Sequence, residues 1–252
     1  MKDKFSILEE TIKAECSRGP VYYLANRGNW GDGLIRYGTY KFFQDINLNY
    51  KELKSIKKTE RLLTYLKGGT VIYGGGGAWC KLWNHSEIIV RKLKKRFKVI
   101  VLPSTYELNY SIPNTLFFCR DMFESKQNMP NATFCHDMAF YIGKQNSPKG
   151  NGNGKGYFFR TDKESANKIR IPSGNNDISL KGNHFSEITT FFEEINRFSV
   201  IYTDRLHVAI AACLLEKEVH LYAGSYFKNR AVYMSSMKDN FDNVYFHEEF
   251  DF

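Results

Sequence analysis

Two stretches of the chain carry residue types that could meet a ligand, the first of them an anion. The first is Thr203-Asp204-Arg205-Leu206-His207. It follows the apolar run Ser199-Val200-Ile201-Tyr202 and opens a segment in which Leu206, Ile210, Cys213 and Leu214 recur at helical spacing. A strand, a tight turn and a helix N-terminus present amides with no partner inside the helix, together with the positive end of the helix dipole. Arg205 adds a permanent cation and His207 a titratable donor, and Asp204 is the expected N-cap. The same residues also fit a capped core helix whose Arg and His make structural bonds.

The second stretch is Asn26-Arg27-Gly28-Asn29-Trp30-Gly31-Asp32-Gly33, between a predicted strand and a predicted helix. Its glycines allow a sharp turn and close approach of a ligand, although Asn, Gly and Asp also serve plain turns. A third glycine-rich turn, Gly74-Gly75-Gly76-Gly77-Ala78-Trp79, follows Thr70–Tyr73 and implies close approach by a ligand or another segment. It is not a dinucleotide fingerprint, which needs glycine where Trp79 stands, nor a P-loop, since no Gly-Lys-Ser/Thr follows. Binding of NAD, FAD or ATP therefore has no support here.

The elements that must position these turns alternate. Phe5–Cys16 reads as an amphipathic helix, Val21–Ala25 as a strand, and the segment after Gly33 as a helix to about Phe43. A helix over His85–Phe97 ends in a basic run, Arg91–Lys98, which fits a solvated helix end or a surface that meets anionic lipid. Val99–Leu102 enters the sheet, and Pro103-Ser104-Thr105 is expected to end it. Short strands at Leu116–Cys119 and Ala132–Cys135 are followed by Arg120-Asp121 and His136-Asp137. Residues just past strand C-termini are where open α/β sheets place ligand chemistry, and they also serve as caps.

Gly143–Gly156 is polar, rich in Gly and Asn, and reads as a linker. It separates an expected N-terminal α/β domain, residues 1–145, from a C-terminal one, residues 156–252. Beyond it come strand candidates at Tyr157–Phe159, before Arg160-Thr161-Asp162, and at Ile178–Leu180. A helix over Ser186–Arg197, the strand Glu218–Tyr222 and a helix from about Ala231 follow. Two sheets of mostly parallel strands are expected.

Composition narrows the partners. The 252 residues are 42% hydrophobic and 25% charged, with a formal net charge of +9. Such a surface suits nucleic acid, anionic membrane or phosphorylated small molecules. The five cysteines, Cys16, Cys80, Cys119, Cys135 and Cys213, have no CxxC spacing, so small buried thiols in a reducing cytoplasm are expected. The N-terminus shows no signal-peptide pattern, and no apolar run approaches the roughly 18–20 residues of a membrane span. No metal-ligand cluster is evident, and no metal or other cofactor is expected to be required.

Taken in order, these stretches resemble the polysaccharide pyruvyl transferase family. The resemblance rests on Gly28-Asn29-Trp30-Gly31-Asp32, Gly74–Gly77 with Trp79, Leu102-Pro103-Ser104, Arg120-Asp121, Asp137-Met138-Ala139-Phe140 and Arg160-Thr161-Asp162. It continues through Asp204-Arg205-Leu206-His207 and Ser225-Tyr226-Phe227-Lys228-Asn229-Arg230, with Pro103-Ser104-Thr105 departing from the usual Pro-Gln-Ser. It implies two Rossmann-like domains, arranged as in GT-B glycosyltransferases around an inter-domain cleft. It also implies transfer of pyruvate from phosphoenolpyruvate to two hydroxyls of a glycan sugar as a cyclic ketal, with phosphate release, in exopolysaccharide or capsule synthesis.

By this resemblance Arg205 and His207 are the catalytic candidates, and Arg160, Arg205, Leu206, His207 and Lys228 the donor-binding ones. Asn29, Asp32, Gly75, Gly76, Gly77, Trp79 and Asp137 are the candidates for the acceptor side or cleft. Partners would be phosphoenolpyruvate as co-substrate and an oligosaccharide or lipid-linked glycan, with peripheral contact to the inner membrane face and no nucleic acid.

The residue chemistry agrees independently. A phosphate and a carboxylate call for two or three cationic donors, and ketal formation needs an acid and a base. Asp32, Asp121, Asp137 and Asp162 are the carboxylates to choose among. A GT-B sugar-nucleotide glycosyltransferase is the alternative, and a non-catalytic nucleic-acid-binding protein would also explain the charge.

Overall fold

A computed structural model describes residues 2–53, 68–145, 152–166 and 171–250. Residues 146–151 of the expected linker lie outside the described set. The chain divides into two compact units: Met1–Asn26 with Thr39–Met138, and Arg27–Gly38 with Ala139–Phe252.

The first unit holds a seven-stranded sheet of β1 (Val21–Leu24), β2 (Lys51–Glu52), β3 (Thr70–Tyr73), β4 (Gly76–Trp79), β5 (Lys98–Tyr106), β6 (Thr115–Cys119) and β7 (Thr133–Phe134). Their order is β2-β1-β3-β5-β6-β7, with β4 also beside β5, and every pairing is parallel. Both faces of a parallel sheet are covered, so its strands read as unbroken apolar runs. β1 and β3 are buried at all four positions.

Helix α1 (Ser6–Glu15) buries Leu8 and Ile12. Helix α3 (His85–Leu93) buries Ile89, Val90 and Leu93 and stops four residues short of the expected Phe97. The exposed basic side chains of the following turn sit at the helix C-terminus, where the dipole favours cations.

β5 runs through Pro103-Ser104-Thr105 to Tyr106, so the expected stop is corrected. Pro103 falls where β5 changes neighbour, from β3 at residues 98–101 to β4 at residues 104–106, and where its register with β6 shifts. A proline is tolerated at such an irregularity because no ladder bond is required of it there.

The second unit holds the parallel sheet β11-β10-β9-β8, made of β8 (Lys155–Tyr157), β9 (Val200–Thr203), β10 (Glu218–Tyr222) and β11 (Val244–His247). Side chains alternate: Ile201, Val219, Leu221 and Val244 are buried. The other face carries the row Tyr157, Tyr202, His220 and Tyr245, one residue from each strand in register. These rings stack on one another, with Tyr202 and His220 4.5 Å apart and nearly coplanar in tilt at 5°.

Helix α6 (Leu206–Leu214) is buried at every position but His207 and packs on β9, β10 and helix α5 (Thr189–Asn196). A helix apolar nearly all round belongs in an interior. The Ile178–Leu180 strand is corrected to a 3-10 turn over Ile178–Lys181. Helix α7 (Lys228–Val232) begins three residues before the expected Ala231. Helix α4 (Glu124–Asn128) in the first unit and helix α2 (Trp30–Asp45) complete the α-helices among the described residues.

Candidate functional site

The Gly28–Gly33 turn belongs to the second unit, and its composition follows from how α2 starts. Asn29 occupies the N-cap position: its Oδ1 accepts the Gly31 amide at 2.8 Å, while Asp32 Oδ2 accepts the Asn29 amide at 3.0 Å. This reciprocal arrangement is a capping box built from Asn and Asp. Gly28 is required because a Cβ there would lie 1.8 Å from Asp32 Oδ2. Gly31 is required for a different reason, since its Cβ would lie 2.5 Å from His207 Nδ1. The glycine turn and the Asp-Arg-Leu-His turn, 176 residues apart at this point by their numbers, therefore meet within one unit. Trp30 anchors the contact, donating Nε1–H to the Glu187 carbonyl at 2.8 Å and packing edge-on to Phe191.

The Asp-Arg-Leu-His turn itself departs from expectation in one respect. Helix α6 starts at Leu206 with Arg205 at the N-cap position and no side-chain cap bond. Asp204 does not cap it. Its Oδ1 accepts the Arg160 amide at 2.8 Å, tying the end of β8 to the end of β9. Thr203 Oγ1 accepts the Arg205 amide at 2.9 Å instead. Arg205 has extended backbone, φ −88° and ψ 108°, so its side chain is not bound to the 100°-per-residue fan of the helix. Asn229, in α7, closes the turn, donating to the carbonyls of Asp204 (2.7 Å) and Tyr222 (2.9 Å).

Around these strand ends lies a buried cluster of charges. Arg205 grips Asp177 with Nε (2.8 Å) and Nη2 (2.6 Å), and its Nη1 lies 2.9 Å from Asp162 Oδ2. Arg160 grips Asp162 with Nε (2.9 Å) and Nη2 (3.2 Å) and reaches Glu164 with Nη1. Lys228 Nζ donates to the same Glu164 carboxylate at 2.6 Å. Three cations thus face four carboxylates, counting Asp204.

Their proton affinities follow from burial and partners. Burial pushes the Asp162 carboxyl up, but the hydrogen bond from Arg160 and the charges of Arg160 and Arg205 outweigh it and hold it below the ordinary range. Burial lowers and Glu164 and Asp162 raise the Arg160 guanidinium, which ends above its ordinary value. Asp204 is fully buried with Oδ2 lacking a partner, and burial pushes its carboxyl up to about 6.

Three of the expected donor residues, Arg160, Arg205 and Lys228, thus share one carboxylate network, and Leu206 and His207 adjoin Arg205 at the start of α6. Asn29 and Asp32 join His207 through the capping box. Gly75, Gly76, Gly77, Trp79 and Asp137 lie in the first unit. There the Gly74–Gly77 run answers to neighbouring backbone: a Cβ on Gly75 would lie 2.2 Å from the Pro103 carbonyl oxygen, and one on Gly74 2.5 Å from the Asn26 amide nitrogen. Gly76 has φ 127°, a conformation costly for any other residue. Trp79 is core, edge-on to Tyr110 and Phe117. Asp137 is sealed in an ion pair with Arg120 at 2.6 Å. Asp121, also in the first unit, accepts the Phe123 and Ser125 amides ahead of α4.

Sequence reading did not anticipate Glu164, Asp177 and Asp204 as partners of the arginines. Glu164 carried a signal, since it lies four residues after Arg160. Asp177 carried none. It is brought in by Asn175, whose side chain bonds both the amide and the carbonyl of Phe159 and docks the loop alongside β8.

Among the described residues no three His, Cys, Asp or Glu side chains converge as metal ligands. The five cysteines form no disulfide. No described helix is long and apolar enough to cross a membrane.

Two parallel sheets flanked by helices, one with an arginine pair beyond its strand C-termini, define an α/β protein. The chain belongs to the polysaccharide pyruvyl transferase family, whose model matches residues 29–226. Membership makes it a transferase with a pyruvyl-transfer role in glycan biosynthesis and implies a polysaccharide or glycan acceptor. Among solved structures it is similar to a functionally uncharacterised protein from Klebsiella pneumoniae subsp. pneumoniae NTUH-K2044. That match has 29% identity and a TM-score of 0.81 over 99% of this chain and 100% of the other. No curated protein matches it.

Proposed function

We propose that the chain transfers pyruvate from phosphoenolpyruvate to two hydroxyls of a glycan sugar as a cyclic ketal. The observation that carries this reading is the meeting of His207, Arg205 and Arg160 at one sheet edge, with the Gly31 turn against the imidazole. Arg205 and Arg160 hold the phosphate and carboxylate of the donor, with Lys228 behind them and the Leu206 amide at the helix N-terminus. His207 protonates the donor methylene carbon. The adjoining carbon becomes electrophilic, the first sugar hydroxyl adds to it, its bond to the phosphate oxygen breaks, and the second hydroxyl closes the ketal. Of the two hydroxyl protons released, one balances that gained by the methyl group and the other leaves with phosphate.

The proposal includes the GT-B-like pairing expected from sequence, with the acceptor side in the N-terminal half, and no required cofactor. It also includes peripheral docking at an anionic inner membrane face. Leu82, Trp83 and Ile88 are exposed apolar residues near the start of α3, and Arg91 and Lys95 are exposed further along. Binding to anionic vesicles that weakens with salt supports that part, and equal binding to neutral vesicles overturns it.

The main test is phosphate release from phosphoenolpyruvate with galactoside and N-acetylmannosamine-containing acceptors, with mass spectrometry of the glycan. A thermal-shift screen separates the glycosyltransferase alternative, since phosphoenolpyruvate rather than nucleotide sugars is expected to raise the melting temperature.

A further inference from the structure

The two arginines assigned to the donor are already paired with the protein's own carboxylates, although Arg205 Nη1, within ion-pair distance of Asp162, makes no hydrogen bond. Asp162 sits between them, 2.9 Å from Arg160 Nε on one side and 2.9 Å from Arg205 Nη1 on the other. That is the position of an anion that bridges two guanidinium forks. The arginine side chains are 6% and 4% exposed, so no outside anion reaches them while Asp162 stays. Asp162 is 24% exposed, whereas Glu164 and Asp177 are 9% and 7%. It is the carboxylate nearest solvent, held from the protein side by the Arg160 fork and by the Glu164 amide, which Oδ1 accepts at 3.0 Å.

Asp177 differs in reach, since the backbone bond of Asp162 is local, from the Glu164 amide two residues on. Besides its two bonds to Arg205 it accepts from the Thr161 amide and hydroxyl at 2.7 and 3.0 Å, so it is tied to the backbone on its far side.

We infer that Asp162 is an internal placeholder for the anionic donor: it occupies the bridging position between Arg160 and Arg205 and is displaced when the ligand's phosphate or carboxylate arrives. Asp177 is a positioning residue that keeps Arg205 aimed at that position. The inference rests on the donor assignment above and adds to it which carboxylate selects the ligand. With one carboxylate more than cations in the cluster, an arriving anion is repelled until Asp162 moves away. The placeholder therefore admits only ligands with enough charge to replace it, which disfavours neutral sugars and monocarboxylates.

The two carboxylates on Arg205 should respond to neutralisation with opposite signs. The full chain and its Asp162→Asn and Asp177→Asn forms are titrated calorimetrically with phosphoenolpyruvate and, separately, with inorganic phosphate at fixed ionic strength. Asp162→Asn is expected to tighten both anions by about tenfold or more, because a competing charge within hydrogen-bond distance is gone. Asp177→Asn is expected to weaken both by about tenfold or more. Asp162→Ser, which also keeps an acceptor for the Glu164 amide, is the second form should the Asn variant not fold.

Weaker or unchanged anion binding in folded Asp162 variants overturns the inference, as does failure of every form to bind either anion. If phosphate tightens but phosphoenolpyruvate does not bind, the placeholder stands and the donor assignment falls. If wild type releases phosphate from phosphoenolpyruvate while the Asp162 variants gain no affinity, the donor assignment stands and the placeholder falls.

Discussion

Both units place an arginine at the C-terminal edge of a parallel sheet and pair it with an aspartate from the next turn. In the first unit Arg120, just past β6, donates to Thr105 at 2.8 Å and to Asp137 at 2.6 Å. Both side chains of the pair are shut away, at 1% and 0% exposure. In the second unit Arg160 and Arg205 share Asp162, which reaches solvent. Two sequence stretches that read alike thus take different roles. Arg120 has one carboxylate, one hydroxyl and no route for a ligand, so it joins strand ends. Arg160 and Arg205 form a two-fork site closed by a displaceable group. Number of partners and access to water, rather than residue type, separate the structural pair from the candidate site.

Breaking the sealed pair gives the largest expected effect. Arg120→Met removes the ion-pair partner of the buried Asp137, so unfolding free energy should fall by about 3–5 kcal/mol. Adding Asp137→Leu should recover much of that loss, because the buried charge is then gone as well. Denaturant titration checks both. A loss confined to activity, with stability intact, would place Arg120 in the site instead.

The two units should also answer pH in opposite directions between about 4 and 6. Burial, with Lys4 nearby, lowers the His136 imidazole of the first unit from 6.5 to about 4. The folded state therefore disfavours the protonated ring, and stability is lost as pH falls from 6.5 towards 4. Asp204 of the second unit is raised from 3.8 to about 6, so its contribution is full below about 4 and lost as pH rises through 6. Each is worth at most about 3 kcal/mol. His136→Phe should flatten the acid loss. Asp204→Asn should stabilise at pH 8 and not at pH 4, read as melting temperature against pH.

His207→Ala should lower turnover by about a hundredfold or more, and His207→Gln should lower it similarly if the imidazole transfers a proton. Recovery by Gln would mean that a hydrogen bond alone suffices. The smallest effect belongs to Asn29→Ala, which removes half of the capping box at the turn that meets His207. About 1 kcal/mol of stability should go with it, measured by the same denaturant titration.

Much of this frame was legible in the chain. The strands Thr70–Tyr73 and Glu218–Tyr222 appear where apolar runs between turn residues placed them. The Asp-Arg-Leu-His turn sits between strand and helix as its pattern implied. Long-range choices were not legible. Pro103 reads as a stop, yet a change of neighbouring strand lets β5 continue past it. Asp204 has the type and spacing of a cap, yet the amide of Arg160, 44 residues away, takes its carboxylate. Trp79 beside four glycines is a candidate for the acceptor side or cleft, and its ring packs in the first unit's core against Tyr106, Tyr110 and Phe117. Local pattern fixes an element, but a partner brought in by the fold decides which of two roles a polar or aromatic side chain takes.

The most direct test of the difference between the two arginine sites is steady-state phosphate release from phosphoenolpyruvate in the presence of a pyruvylatable glycan, for wild type and Arg205→Lys. Lysine keeps the charge and loses the planar fork that meets Asp177 and Asp162. Wild type is expected to release phosphate, and Arg205→Lys to show at least about a tenfold lower kcat/KM in protein that remains folded. Wild-type kcat/KM in Arg205→Lys, or no release by wild type with any glycan acceptor, would contradict the donor assignment.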